Sequence, residues 1–200
     1  MKFFLFLFLV INLYAASATK EYSFRVGYGL ASENDLGEIV FGDFGTHPRD
    51  LSVYALDGGY LLQEGLSSWP IDFYVKGGVS YFNEDTFSNT YEMTLYIKAY
   101  YNIDFYDNRV RIGAAEGISY TLHTLETEYY EAIDDGEVTS KFLNYLDLSV
   151  DFDFGRAVGS KLLEDTYIGY ALKHRSGVFG LYNGVHGGSN YNTFYLEKNF

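Results

Sequence analysis

The run Tyr145-Leu146-Asp147-Leu148-Ser149-Val150-Asp151-Phe152-Asp153-Phe154 alternates without a break between apolar residues and residues that are mostly carboxylates. Side chains of a β-strand point to opposite faces in turn. The run therefore presents one wholly apolar face (Leu146, Leu148, Val150, Phe152, Phe154) and one acidic face (Asp147, Asp151, Asp153). In a soluble sandwich or a lipocalin-like barrel the apolar face packs inside. In a transmembrane barrel it meets lipid, and the acidic face turns inward. Alternation in one strand does not choose between these; repetition and strand length do.

The same period of two recurs along the chain. Tyr22, Phe24, Val26, Tyr28 and Leu30 oppose Ser23, Arg25, Gly27 and Gly29, and residues 51–62 form a second strand with weaker alternation. Ile71, Phe73, Val75, Val79 and Tyr81 oppose Asp72, Tyr74, Lys76 and Ser80, and Tyr91, Met93, Leu95, Ile97, Ala99 and Tyr101 oppose Glu92, Thr94, Tyr96, Lys98 and Tyr100. Asp107-Asn108 marks a tight turn into a fifth strand over 109–121. On that strand Glu116 falls among apolar residues, either as a carboxylate near the membrane interface or re-aimed inward by a bulge. After the sixth strand, Ile168, Tyr170, Leu172, His174, Ser176 and Val178 share the apolar face of a seventh, and 190–200 forms the eighth. Each strong run is about as long as the 9–11 residues that cross a bilayer when tilted. The connections 31–50 and 122–140 are long, with a short strand expected at 39–41 and a strongly acidic 122–140.

Met1 and Lys2 precede the apolar run 3–14, and Ala16-Ser17-Ala18 has the small-x-small form of a cleavage site, so 1–18 reads as a secretory signal peptide and 19–200 as one barrel domain. The 21 Tyr and 17 Phe favour strands, and there are no cysteines to staple the fold. A formal charge of −13 argues against a nucleic-acid partner. The histidines (His47, His123, His174, His186) lack close metal-ligand spacing, so no metal is expected, calcium being the least excluded because carboxylates are plentiful. An even strand count, an export signal, an aromatic excess and a terminal Phe200 describe an all-β, eight-stranded antiparallel transmembrane β-barrel of the bacterial outer membrane. Its partners are the lipids of that membrane, and pairing of two barrels into a homodimer is compatible with the pattern.

His174 and Ser176 lie two residues apart on one strand face, near the extracellular end of the seventh strand, where an imidazole can take a hydroxyl proton and direct the oxygen at an ester carbonyl. On a structural strand the two would be a polar pair and nothing more. The longer pattern His174-Arg175-Ser176-Gly177, then Gly187-Gly188-Ser189-Asn190, resembles the end of the lipid A 3-O-deacylase (PagL) family and its acyloxyacyl-hydrolase-like relatives. The runs Glu116-Gly117-Ile118-Ser119-Tyr120 and Leu143-Asn144-Tyr145-Leu146-Asp147 extend the resemblance over about the second half of the mature chain. It implies hydrolysis of the ester-linked 3-hydroxyacyl chain of lipid A, the anchor of lipopolysaccharide, at a Ser-His-acid site on the lipid-facing side, without a cofactor. Ser176 is then the nucleophile and His174 the base. Asn190 stands where the family has its acidic residue, and Gly177 stands where it has an oxyanion-hole Asn, leaving backbone N–H donors for that task. Glu116 is the rival acid, two strands from His174 by the strand count. A structural or adhesive barrel that keeps His174 and Ser176 without the reaction is the alternative reading.

Overall fold

A computed structural model describes residues 20–200; the leader assigned to 1–18 lies outside them. Eight antiparallel strands, β1 (Tyr22–Ser32), β2 (Ser52–Gln63), β3 (Ile71–Asn83), β4 (Thr90–Phe105), β5 (Asn108–Thr121), β6 (Phe142–Asp153), β7 (Thr166–Ser176) and β8 (Gly188–Asn199), pair in sequence order. β8 closes on β1, with Tyr28 opposite Phe194. Every strand thus has two neighbours, which removes the edges that an open sheet would expose.

The alternation read from the sequence is the wall of this barrel. Tyr22, Phe24, Leu95, Ile97, Val150 and Phe194 are exposed on the outside, whereas Tyr96, Lys98, Asp147 and Asp151 are buried within. A soluble barrel with its apolar face inward is thereby overturned. The buried charges are paired across the lumen. The Arg25 guanidinium donates to Asp57 at 3.0 Å and to Asp147 at 2.8 Å, Lys98 also pairs with Asp147, Lys76 donates to Glu197 at 2.6 Å, and Arg111 forks onto Asp151 at 2.8 Å. Tyr100, Tyr145 and Tyr167 fill the space between them, so the lumen is a polar core. Lys198, on the outward face near the opposite end from His174, sends its ammonium back to the Glu164 carbonyl, as long amphipathic side chains do at an interface.

Four local expectations need correction. Residues 39–41 are not a strand: the segment forms a short helix, α1 (Leu36–Val40), nucleated by a capping box between Asp35 and Glu38. The acidic connection 122–140 contains a second helix, α2 (Glu126–Asp135), ended by Gly136 at φ 69. The β4–β5 turn is centred one residue earlier than Asp107-Asn108, since Phe105 pairs with Asn108 and Tyr106 takes φ 50. Pairing of β5 with β4 and β6 is unbroken through Glu116, so no bulge re-aims that carboxylate and it stays exposed on the outer face.

Candidate active site

Register brings the sequence candidates to one level of the outer wall. His174 pairs with Asn190 on β8 and with Leu146 on β6; Leu146 pairs in turn with Glu116 on β5. Glu116 is therefore separated from His174 by a whole strand, about 10 Å at two strand spacings. Asn190 is its direct neighbour. His174 Nδ1 lies 2.7 Å from Asn190 Oδ1, and Asn190 Nδ2 donates to the Asn34 carbonyl at 3.0 Å. The second bond orients the first. A carbonyl can only accept, so the Asn190 amide must turn its NH₂ to Asn34 and its oxygen to the imidazole. Nδ1 then carries the proton, and Nε2 keeps its lone pair.

Ser176 stands two residues further along β7, half-buried like His174, with β-carbons about 7 Å apart for such a pair on one face. It pairs with Gly188, which has no side chain to crowd the hydroxyl; a β-carbon there would meet the Arg175 carbonyl oxygen at 1.9 Å, so only glycine fits. The strand ends at Ser176, so Val178, which the alternation includes in it, belongs to the following hook.

Gly177 does not present a free backbone donor. Its N–H donates to the Gly187 carbonyl at 3.1 Å, and a β-carbon on it would lie 1.8 Å from the Val185 oxygen. Close packing of the hook uses up the group that an oxyanion needs. The next two residues, Val178 and Phe179, adopt φ 48 and 53, a conformation costly for non-glycine residues and most of all for a β-branched one. The amides of Gly180, Leu181, Tyr182, Gly184 and Val185 are bonded within the hook. Among the described residues, those of Val178 and Phe179 are the nearest beyond Gly177 that are not committed in this way.

Two features escaped sequence reading. Asn34 holds Asn190 from the long β1–β2 loop, and a contact across 156 residues has no local signature. Glu131 of α2 accepts from the Gly188 N–H at 3.0 Å, placing a carboxylate beside the residue that faces Ser176. Burial holds the Glu131 carboxyl above its ordinary range, the more so with Asp135 nearby. Glu131 and Asn190 line one polar cavity of about 420 Å³ with Glu33, Asp35, Asp134 and Asp135.

No family model matches the chain, and neither does any characterised protein sequence. Among solved structures, the outer membrane enzyme PagL is similar with a TM-score of 0.61 at 12% identity, over 89% of this chain and 99% of that one. Neisserial surface protein A (NspA) is similar with a TM-score of 0.50, also at 12% identity, over 92% of this chain and 99% of that one. The likeness is one of fold. The chain is a closed eight-stranded barrel of the bacterial outer-membrane type, with an apolar exterior and a paired polar interior.

Proposed function

We propose that this barrel is an outer-membrane ester hydrolase that removes an ester-linked 3-hydroxyacyl chain from lipid A. The observation that carries the reading is the His174–Asn190 hydrogen bond on the outer wall, which leaves Nε2 unprotonated on an imidazole two residues from Ser176 along one strand face. In the reaction Nε2 takes the Ser176 hydroxyl proton as Oγ attacks the ester carbonyl. The tetrahedral intermediate then expels the sugar oxygen, which receives that proton from Nε2. Water, deprotonated by the same nitrogen, attacks the acyl-serine, and the fatty acid leaves as Nε2 returns the proton to Ser176 Oγ. The negative charge on the carbonyl oxygen falls to backbone donors of the hook, with the amides of Val178 and Phe179 the candidates. Asn190 fixes the tautomer but, being neutral, gives no charge stabilisation to the imidazolium, so turnover is slow compared with a carboxylate triad.

A second reading is a barrel of structural or surface function. It is favoured by the neutral Asn190, by the engagement of the Gly177 amide and by the likeness to a surface protein as well as to an enzyme. Mass spectrometry of lipid A separates the two. Cells carrying the protein should show loss of one hydroxyacyl mass, and cells carrying Ser176→Ala should not. Full deacylation by the Ser176→Ala protein would overturn the assignment.

A further inference from the structure

The outer wall next to the His174–Asn190 pair is not bare barrel. The β1–β2 loop folds back over it, held before α1 by the Asn190–Asn34 bond and after it by Asn192 Nδ2 donating to the Gly45 carbonyl at 3.4 Å and by the His47 N–H donating to the Ala31 carbonyl at 2.9 Å. Phe44 at the tip of this strap packs edge-on against Tyr170, ring centroids 5.5 Å apart, and Tyr170 meets Phe194 at 5.8 Å. Between strap and wall runs a groove of about 680 Å³, bounded by Tyr28, Leu30, Phe44, Thr46, Tyr170 and Phe194. Gly45 lies against Asn34, the residue that anchors Asn190: a β-carbon at 45 would sit 1.7 Å from Asn34 Oδ1, so a side chain there must displace that anchor.

We propose that this groove holds the fatty acyl chain of an outer-leaflet lipid and that Phe44, carried on the strap, sets which chain length fits. This rests on the ester-hydrolase reading of the neighbouring pair. Position argues for it: Tyr170 lies four residues before His174 on β7, about 13 Å deeper along the strand, so a chain whose ester is at Ser176 and His174 descends into the groove toward the bilayer centre. Chemistry argues for it as well. The side-chain amide of Asn192 is already spent, its oxygen accepting from the Tyr170 hydroxyl at 2.5 Å and its nitrogen donating to Gly45. What remains is predominantly apolar, the Thr46 and Tyr28 hydroxyls being too few to satisfy a peptide backbone or a sugar, and its size is that of a small-molecule site. The wall contributed by Phe44 is a loop side chain, exposed over 58% of its surface, so it can be altered without touching the barrel core.

Two measurements test this. In the first, esters sharing one head group and differing in acyl length are given to the purified wild type, Phe44→Ala and Phe44→Trp proteins. Removing the ring should shift the preferred length upward and enlarging it should shift it downward, changing the kcat/KM ratio between neighbouring lengths by about tenfold. In the second, Phe44→Trp is combined with Trp69→Phe and Ser176→Ala, and quenching of the single tryptophan by a trace of chain-brominated lipid in unbrominated detergent is followed to saturation. Saturable quenching, competed by the unbrominated lipid and weakened by Gly45→Val, supports the groove. Saturable quenching without hydrolysis of any ester keeps the groove and sinks the hydrolase reading. Hydrolysis with one length profile for all three proteins, or quenching that never saturates, overturns the groove.

Discussion

Asn190 shows how one amide can decide the state of a neighbouring base. Its NH₂ is anchored on Asn34, so its oxygen is left for His174 Nδ1 and the imidazole is held with Nε2 unprotonated. Asn190→Ala should lower the deacylation rate by at least about tenfold, since a free imidazole samples the wrong tautomer. Asn190→Glu should raise it, because a carboxylate also stabilises the imidazolium. Glu116→Gln should change it little, Leu146 standing between that residue and His174. Initial rates on purified lipid A in detergent check all three; a large loss from Glu116→Gln with Asn190→Ala unaffected would reverse the assignment. The pairing of His174 with Asn190 was legible from strand counting, because both sit on strands adjacent in sequence. The spent amide of Gly177 was not, since its acceptor lies across the hook.

At the scale of elements, the loop cap at the His174 end of the barrel is knit by carboxylates that the sequence shows only as an acidic stretch. Glu126, at the start of α2, accepts from the amides of Asp85, Thr86 and Phe87 and from the Thr86 hydroxyl, and pairs with Arg49 at 2.9 Å. Burial works against its ionisation, but these donors hold its carboxyl below the ordinary range. Glu84 lies at the same junction, accepting from the Glu126 N–H at 3.1 Å, with its other oxygen unbonded. Burial pushes its carboxyl up to about 7 from an ordinary value near 4.5; Glu126 and Glu128 of α2 add to this, and Arg175 of β7 opposes it. A group protonated more readily in the folded cap stabilises it fully below about pH 4.5, and that stabilisation is lost as the pH rises through about 7. Amides of residues 85–87 and of α2 should therefore exchange more readily at about pH 8 than at about pH 5.5 once intrinsic rates are divided out. Glu84→Gln should flatten the difference. An equal dependence in that variant would assign the effect to another group.

For the whole molecule, stability rests on a lumen in which each buried charge meets its opposite. Asp147 is the hub, 1% exposed and shared by Arg25 and Lys98. Asp147→Ala leaves two buried cations short of a partner and should cost about 3–5 kcal/mol. Asp104→Ala, which removes the half-exposed partner of Arg109 at the opposite end, should cost at most about 1 kcal/mol. Urea unfolding followed by the electrophoretic mobility of the folded barrel measures both, and equal midpoints would refute the hub. The same filled lumen predicts no stepwise conductance for the wild type in planar bilayers.

The amino-acid sequence by itself determined the barrel. A period of two repeated over eight runs, each long enough to cross a bilayer, specifies which side chains face out, and inward carboxylates and cations must then find one another across the lumen. It also placed His174, Ser176 and Asn190 on one outward face, since face and neighbour follow from counting along adjacent strands. Tertiary structure decided what the loops do to that face. The amide flip set by Asn34, the loss of Gly177 as a donor, the approach of Glu131 and the groove under Phe44 all depend on segments far apart in the chain. Their positions are set by caps, left-handed turns and glycine contacts, and the resulting long-range contacts leave no period along the sequence to read.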